Sequence, residues 1–155
     1  MNAEYLVRLL DEAFDRRAWH GTNLRGSVRG LTEAEASWRP ARGRHNIWEE
    51  VVHAAYWKYA ARRRLTGAKR GSFGEPGSNW FARPSPGGGS DWRRDVARLE
   101  EEHRLLRAAV EDADAALLDR CPAGKKYTNA DMILGVACHD VYHAGQIQFL
   151  KRLRR

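Results

Sequence analysis

The sequence predicts an all-α fold: a four-helix bundle with a short extra helix after the first helix and a long loop between the second and third helices. Apolar residues recur at intervals of three and four along four segments, which is the spacing of one helix face. Capping residues stand at the start of several of these segments, and Gly, Ser, Pro and Asn dominate the stretch 68–89. These patterns predict four long helices, one short helical insertion and one long loop.

The first predicted helix runs from about Ala3 to Leu24 and weakens near Gly21 and Gly26, because glycine is a poor helix former. A short helix follows it. Thr32 begins this helix with a capping box, and Pro40 ends it because proline disfavours a helical conformation in the residue before it.

The second long helix begins after Asn46, whose side chain caps it, and Glu49 is interpreted as the other half of a capping box. It ends near Gly67, behind three arginines that suit a helix C-terminus. The stretch from Ala68 to Gly89 is a loop longer than most connections in compact domains. We expect it to border the functional pocket as a lid, because it contains Phe73, Trp80 and Phe81. A loop packed on the outside of the bundle is the alternative.

The third helix is predicted to begin with Ser90 as its N-cap and to continue through Leu117, with its end near Cys121. Thr128 and Asp131 form a capping box for the last helix, which runs to the last residues. The third helix has the most regular apolar stripe of the chain, so we expect it to pack in the bundle core.

Length and composition favour one globular domain over residues 1–155. Hydrophobic residues make up 43% and charged residues 30% of the chain, which is ordinary for a folded protein. No apolar run approaches the roughly 18–20 residues that span a bilayer, and the first residues resemble no signal peptide, so we expect a cytoplasmic protein without membrane contact. Cys121 and Cys138 have no CxxC spacing, so they predict neither a disulfide framework nor a cysteine-based zinc site.

The chain is basic, with 27 Lys and Arg residues against 20 Asp and Glu residues and a net charge of +7. Much of the excess lies between Arg39 and Arg70. A basic chain can bind phosphate backbones, but no helix-turn-helix, zinc-finger or RNA-binding motif accompanies the charge. A solvated basic surface is the favoured interpretation, and nucleic-acid binding is the least favoured function.

The histidines are the residues that point to chemistry. His139 and His143 lie four residues apart on the last helix, so their imidazoles can reach one metal ion; two hydrogen-bonded core histidines are the alternative. His53 lies in an aromatic and aliphatic part of the second helix, where a buried imidazole needs a partner, and a shared metal would supply it. His20 falls on the apolar side of the first helix, as a core histidine or a pocket wall. His103 is interpreted as structural because its helical neighbours are aliphatic.

Three stretches carry a resemblance to a known family: 31–40 (LTEAEASWRP), 46–57 (NIWEEVVHAAYW) and, above all, 135–150 (GVACHDVYHAGQIQFL). On these stretches the chain resembles the DinB/YfiT-like superfamily of bacterial metal-binding four-helix bundles. The resemblance implies that one histidine of the second helix and two of the last helix bind a divalent metal. The matching positions are His53, His139 and His143. It also implies a link to thiol-S-transferases that use low-molecular-weight thiols, although many members have no assigned reaction.

Three neutral imidazoles leave at least one coordination position open, which is typical of a catalytic metal site. A zinc-like ion would lower the pKa of a bound water or thiol there. This ligand set does not distinguish zinc from nickel, iron or manganese. Other candidates line the pocket or orient the imidazoles, and they are His20, Glu50, Asp140 and Gln146.

We therefore expect a metal-dependent enzyme, a thiol-S-transferase or a hydrolase-like protein, acting on a small electrophilic molecule. A metal-binding stress-response protein without turnover is the alternative. We also expect a homodimer, because members of the family often pair and because exposed aromatic patches on a monomer favour association.

Overall fold

The computed structural model describes residues 2–86 and 88–154, and all regular elements in these ranges are helices. They are α1 (Ala3–Phe14), α2 (Leu24–Val28), α3 (Glu33–Ser37), α4 (Ile47–Thr66), α5 (Trp92–Glu111), α6 (Ala115–Asp119) and α7 (Asn129–Leu153). The predicted all-α class is confirmed. Helix α4 packs against α5 and α7, and α1 packs against the same two helices. None of the helices in the described ranges has the length and apolar character needed to cross a membrane.

The first predicted helix is shorter than expected, because α1 ends at Phe14 and Leu24 belongs to the separate helix α2. Asn23 explains the separation. Its side-chain oxygen accepts a hydrogen bond from the Gly26 amide at 2.8 Å, and its side-chain nitrogen donates to the Arg16 carbonyl at 2.8 Å. A residue that caps a new helix cannot continue the previous one, so the chain breaks here.

The third predicted helix also differs from expectation at both ends. Asp91, and not Ser90, is the N-cap of α5, and its carboxylate accepts a hydrogen bond from the Arg94 amide at 2.9 Å. The helix ends at Glu111, because Asp114 caps the short helix α6 by accepting a hydrogen bond from the Leu117 amide at 2.7 Å. Both differences come from aspartates, whose side chains compete with the helix for backbone N–H groups.

The remaining helix boundaries agree with the sequence patterns. Helix α4 ends at Thr66, and Gly67 adopts the left-handed conformation that closes it. Capping boxes begin α3, α4 and α7, and they are formed by Thr32 with Glu35, Asn46 with Glu49, and Thr128 with Asp131.

Two clusters of buried apolar residues form the core. One surrounds the first half of α4 and includes Trp48 and Tyr59, together with Phe73 and Phe81 from the loop. The other is built on α1, α5 and the first half of α7. Its fully buried members are Leu6, Leu10, Leu106, Val110, Leu118 and Ile133. Because both clusters include residues of α4, α5 and α7, these helices connect the halves of the core.

A buried ion pair joins α4 to α7 inside this core. The Lys58 ammonium donates to the Asp140 carboxylate, and both side chains are fully buried. Burial raises the pKa of the Asp140 carboxyl, while the charge of Lys58 acts in the opposite direction. The Lys58 nitrogen also lies 4.9 Å from the centre of the Phe14 ring. The pair therefore places complementary charges between α4 and α7 inside a mostly apolar core.

The end of the long loop is fixed to the start of α4 and to α5 through Arg83, which is buried. Its guanidinium donates to the Asp95 carboxylate at 2.6 Å, and its carbonyl accepts from the Asn46 side chain at 2.8 Å. Its amide donates to the Glu49 carboxylate at 3.3 Å. These bonds, together with the burial of Phe73 and Phe81, make the loop a packed part of the fold.

His103 lies in the helix-packing interface, in agreement with its interpretation as a structural residue. Its ring stacks on Phe14 with centroids 3.9 Å apart, and its Nδ1 atom lies 3.4 Å from the Lys58 nitrogen. Its Nε2 atom lies 3.7 Å from the Asp11 carboxylate. Burial, followed by the charges of Lys58 and Arg107, lowers the pKa of His103 to about 2.

Replacing Lys58 with methionine is expected to lower the free energy of unfolding by about 3–5 kcal/mol, because Asp140 would remain buried without a cation. The double variant Lys58→Met/Asp140→Leu removes both charges and should recover most of this loss. Urea unfolding at pH 7 measures all three proteins. A single variant that is as stable as the double variant would contradict the role given to the ion pair.

The buried His103 should make stability depend on pH. Its folded pKa lies below the unfolded value of about 6.5, so between these values only the unfolded chain takes up the proton, and stability falls as the pH falls. The loss approaches about 1.4 kcal/mol per pH unit, or about 2 kcal/mol between pH 6.5 and 5. The variant His103→Leu should lose this part of the dependence. Urea unfolding of both proteins with chelator present tests this, and parallel pH profiles would disprove it.

Candidate metal centre

Three imidazoles meet between α4 and α7. His53 comes from α4, while His139 and His143 lie on the same face of α7 because residues four apart are neighbours on a helix. The Nε2 atom of His139 lies 3.0 Å from that of His53 and 3.0 Å from that of His143. His53 and His143 are buried and His139 is partly exposed. The group could hold a metal ion, since its ligand atoms all lie within 4.8 Å of one another.

Hydrogen bonds to the Nδ1 atoms of His53 and His143 determine that the Nε2 atom of each ring is free to bind a metal. The Nδ1–H of His53 donates to the Asn79 carbonyl at 2.9 Å, and the Nδ1–H of His143 donates to the Glu50 carboxylate. Both Nε2 atoms are therefore unprotonated in the neutral rings and direct lone pairs at His139. A cation bound about 2.0–2.1 Å from each nitrogen would relieve the repulsion between such lone pairs, so the donor set fits a divalent metal.

The protonation state of the imidazoles also suits a metal. Burial first, and the neighbouring His143 after it, lower the pKa of His53 to about 4 and that of His139 to about 3. Both rings are therefore neutral at pH 7, and the neutral imidazole is the form that binds metals. The Nδ1 atom of His139 is buried and has no hydrogen-bond partner in the described part of the chain.

Glu49 and Glu50 are adjacent on α4 but have different roles. Glu50 is buried and orients the ring of His143. Glu49 is engaged in the capping box and accepts two hydrogen bonds from Arg39, at 2.7 and 2.8 Å. The expectation that Glu49 is a capping residue is thus confirmed.

The long loop supplies one wall of the centre. The indole of Trp80 stacks on the His53 ring with centroids 3.8 Å apart. The neighbouring Asn79 carbonyl accepts the hydrogen bond from the Nδ1 atom of the same ring. Trp57 adds a second wall, with its ring 6.4 Å from that of His139 and its indole N–H donating to the Asn79 side chain at 2.9 Å. The loop therefore borders the centre as expected, through Trp80.

The comparison with protein families agrees with this geometry. The sequence profile of the DinB superfamily matches residues 10–147. The chain belongs to the DinB superfamily. No curated protein and no solved structure gave a significant match to it. DinB-like proteins bind metals, so the family and the three-histidine group of this DinB protein support the same kind of site.

Two of the three loop aromatics of this DinB protein lie away from the centre. Phe73 and Phe81 are buried in the core, where they pack against each other and against Tyr56 at centroid distances of 5.4 to 5.5 Å. The loop is thus part of the core as well as a wall of the site. The sequence pattern did not show which of its aromatic residues serve each purpose.

The other candidate residues contribute less than expected. His20 is exposed on the connection between α1 and α2, because α1 ends six residues before it, so its expected interior position is wrong. Asp140 faces Lys58 instead of orienting an imidazole. The Gln146 side chain donates to the Tyr142 hydroxyl at 3.1 Å. Of the four residues proposed to support the site, Glu50 is the one that hydrogen-bonds a candidate ligand.

Sequence patterns missed two residues of the centre. Asn79 acts through its backbone carbonyl, for which a side-chain motif gives no signal. Trp57 ends the stretch 46–57 that carries the family resemblance, but the resemblance assigns it no role; its position four residues after His53 places it on the same helix face.

Replacing His53, His139 or His143 with alanine should abolish stoichiometric binding of a divalent metal, because each removes one of three ligands. Glu50→Gln should weaken binding about 10- to 100-fold, because it removes the charge that orients His143. Titration with zinc or nickel and metal analysis of the purified proteins measure both effects. His20→Ala is the control and should bind metal normally. Wild-type metal content in all three alanine variants would show that the site is elsewhere.

Proposed function

We propose that this DinB protein is a metal-dependent enzyme that joins a small-molecule thiol to a small electrophile. The observation that carries the proposal is the convergence of three imidazole nitrogens at one partly exposed point. Such a donor set leaves coordination positions for a further ligand, as in catalytic sites, whereas structural sites are closed by four protein ligands. The family resemblance supports a thiol as that ligand, and water is the competing choice.

The chain would hold zinc, nickel, iron or manganese through His53, His139 and His143. When bound, the ion would act as a Lewis acid that lowers the pKa of a coordinated thiol. Asn79 and Glu50 keep the two outer imidazoles in the required tautomer. Trp57 and Trp80 line the centre with apolar surface, which limits access of water to the reacting sulfur.

The proposed reaction is a substitution or addition at carbon. The thiol proton leaves to solvent, and the sulfur lone pair forms the new sulfur–carbon bond. In a substitution, the bond from carbon to the leaving group breaks, and its electron pair departs with that group. In an addition, the π bond of the electrophile breaks, and its electron pair takes up a proton from solvent. No oxidant or reductant is required.

Two further proposals concern access and assembly. We propose that the loop segment carrying Asn79 and Trp80 controls entry to the centre, because these residues contact the ligand His53 directly. We also propose a homodimer. Tyr142, Phe149 and Leu153 lie on the outer side of α7 with exposed fractions of 62%, 62% and 51%, which gives a partner helix an apolar surface to cover.

Metal-loaded protein is expected to accelerate conjugation of thiols such as 2-mercaptoethanol or glutathione to the fluorogenic electrophile monochlorobimane. Chelation and the variant His139→Ala should each reduce the rate to the uncatalysed level, whereas His20→Ala should keep it. A fluorescence assay with zinc-, nickel-, iron- and manganese-loaded protein measures this. A protein that binds metal but conjugates none of the thiols would instead be a metal-binding protein without this turnover.

A further inference from the structure

A cavity separate from the candidate metal centre lies near the C-terminal end of α4. It has a volume of about 680 Å³ and lies between the end of α4, the start of α7 and the segment that precedes α7. This volume is in the range of small-molecule sites, which is about 300–1,000 Å³. No residue of the three-histidine group lines it, so its role is separate from holding the metal.

The cavity is strongly cationic. Arg63, Arg64, Arg70 and Lys125 line it, against one carboxylate, Asp131. That carboxylate is already engaged, because it accepts hydrogen bonds from the Thr128 amide and hydroxyl at 2.9 and 2.8 Å. None of the four cations forms an ion pair with another residue in the ranges 2–86 and 88–154. Unpaired cations gathered around one cavity attract an anionic ligand.

The cavity leads toward the metal centre along both helices. On α7, Gly135 lines the cavity and lies one turn before His139, a rise of about 6 Å. On α4, the Arg64 guanidinium lies 5.7 Å from the centre of the Trp57 ring, and that ring lies 6.4 Å from the ring of His139. A ligand with charged groups in the cavity therefore needs to extend only about one or two helical turns to reach His139.

Gly135 leaves open space on the surface of α7 between the cavity and His139. A Cβ atom built on this glycine meets no other atom within 4 Å. Glycine in a helix interior costs about 1 kcal/mol relative to alanine, so nothing in the packing of α7 requires it here. The walls also include apolar groups, among them Pro122, Tyr127 and Met132, which suit the uncharged part of an organic ligand.

We propose that this cavity binds the carboxylate groups of the thiol co-substrate, and that the co-substrate is an acidic, peptide-sized thiol. This inference rests on the proposed function. In that function the thiol sulfur must reach the metal, so the thiol is the substrate whose distance from His139 has to be fixed. A cationic cavity one helical turn from His139 fixes that distance, because a thiol whose carboxylates are held there can place its sulfur beside Gly135, within reach of the centre.

The test uses glutathione as an acidic thiol probe, its diethyl ester as the probe without carboxylates, and S-methylglutathione as the probe without a free thiol. Calorimetric titration of the zinc-loaded protein should show glutathione binding at least about tenfold tighter than the diester. Arg64→Gln and Lys125→Gln should each weaken glutathione binding about three- to fivefold, and the double variant about tenfold. The dissociation constant should increase with salt concentration.

Matched variants distinguish an effect on the cavity from an effect of net charge and from a loss of folding. Arg17→Gln removes an exposed arginine on the connection after α1 and should leave glutathione binding unchanged. Gly135→Leu should weaken binding by filling the open space at this position, whereas Gly135→Ala should have little effect. Zinc content should be equal in all of these variants, because none of the changed residues belongs to the three-histidine group.

The outcomes distinguish this inference from the proposed function. Equal affinities for glutathione and its diester, or equal effects of Arg64→Gln and Arg17→Gln, would overturn the cavity assignment even if thiols are conjugated. Sulfate that competes as well as glutathione at equal ionic strength would also overturn it. Binding of S-methylglutathione that weakens in the double variant, without conjugation of any thiol, would support the cavity while contradicting the proposed reaction.

Discussion

The buried ion pair between Lys58 and Asp140 is the interaction on which the rest of the structure depends. Lys58 lies five residues after His53 on α4, and Asp140 directly follows His139 on α7. A buried ion pair adds little stability compared with apolar packing, but separating its charges inside the core is strongly unfavourable. Sliding α4 along α7 would separate them. The pair therefore fixes the register that brings His53 opposite the two histidines of α7.

The long loop depends on the same helix and makes the site and the fold inseparable. Its far end is held by Arg83 at the start of α4, and its middle is held by Phe73 and Phe81 in the core. Between these anchors the Asn79 carbonyl is held in reach of His53. The orientation of one metal-binding imidazole is thus set by a loop whose own position is set by core packing, which explains why so large a connection is packed on the helices.

The sequence predicted the parts of the site that depend on local order and missed the parts that depend on distant contacts. The spacing of His139 and His143 and the capping boxes of α3, α4 and α7 are local, and they agree with the structure. The breaks at Asn23 and Asp114 were missed because a capping side chain competes with a helical pattern that continues across it. Asp140 was assigned to the imidazoles because Lys58, its actual partner, lies 82 residues away in the chain.

The charges around the centre favour an anionic ligand over a neutral one. A divalent ion held by three neutral imidazoles would keep its full charge, because these ligands contribute none. Glu50 supplies one negative charge through His143, and the charge of Asp140 is balanced by Lys58. The centre would therefore retain about one positive charge in a largely buried environment, where charge interactions are stronger than in water. A coordinated thiolate neutralises this charge, and so does the hydroxide formed from a coordinated water, so the charge balance of the centre favours an anionic ligand.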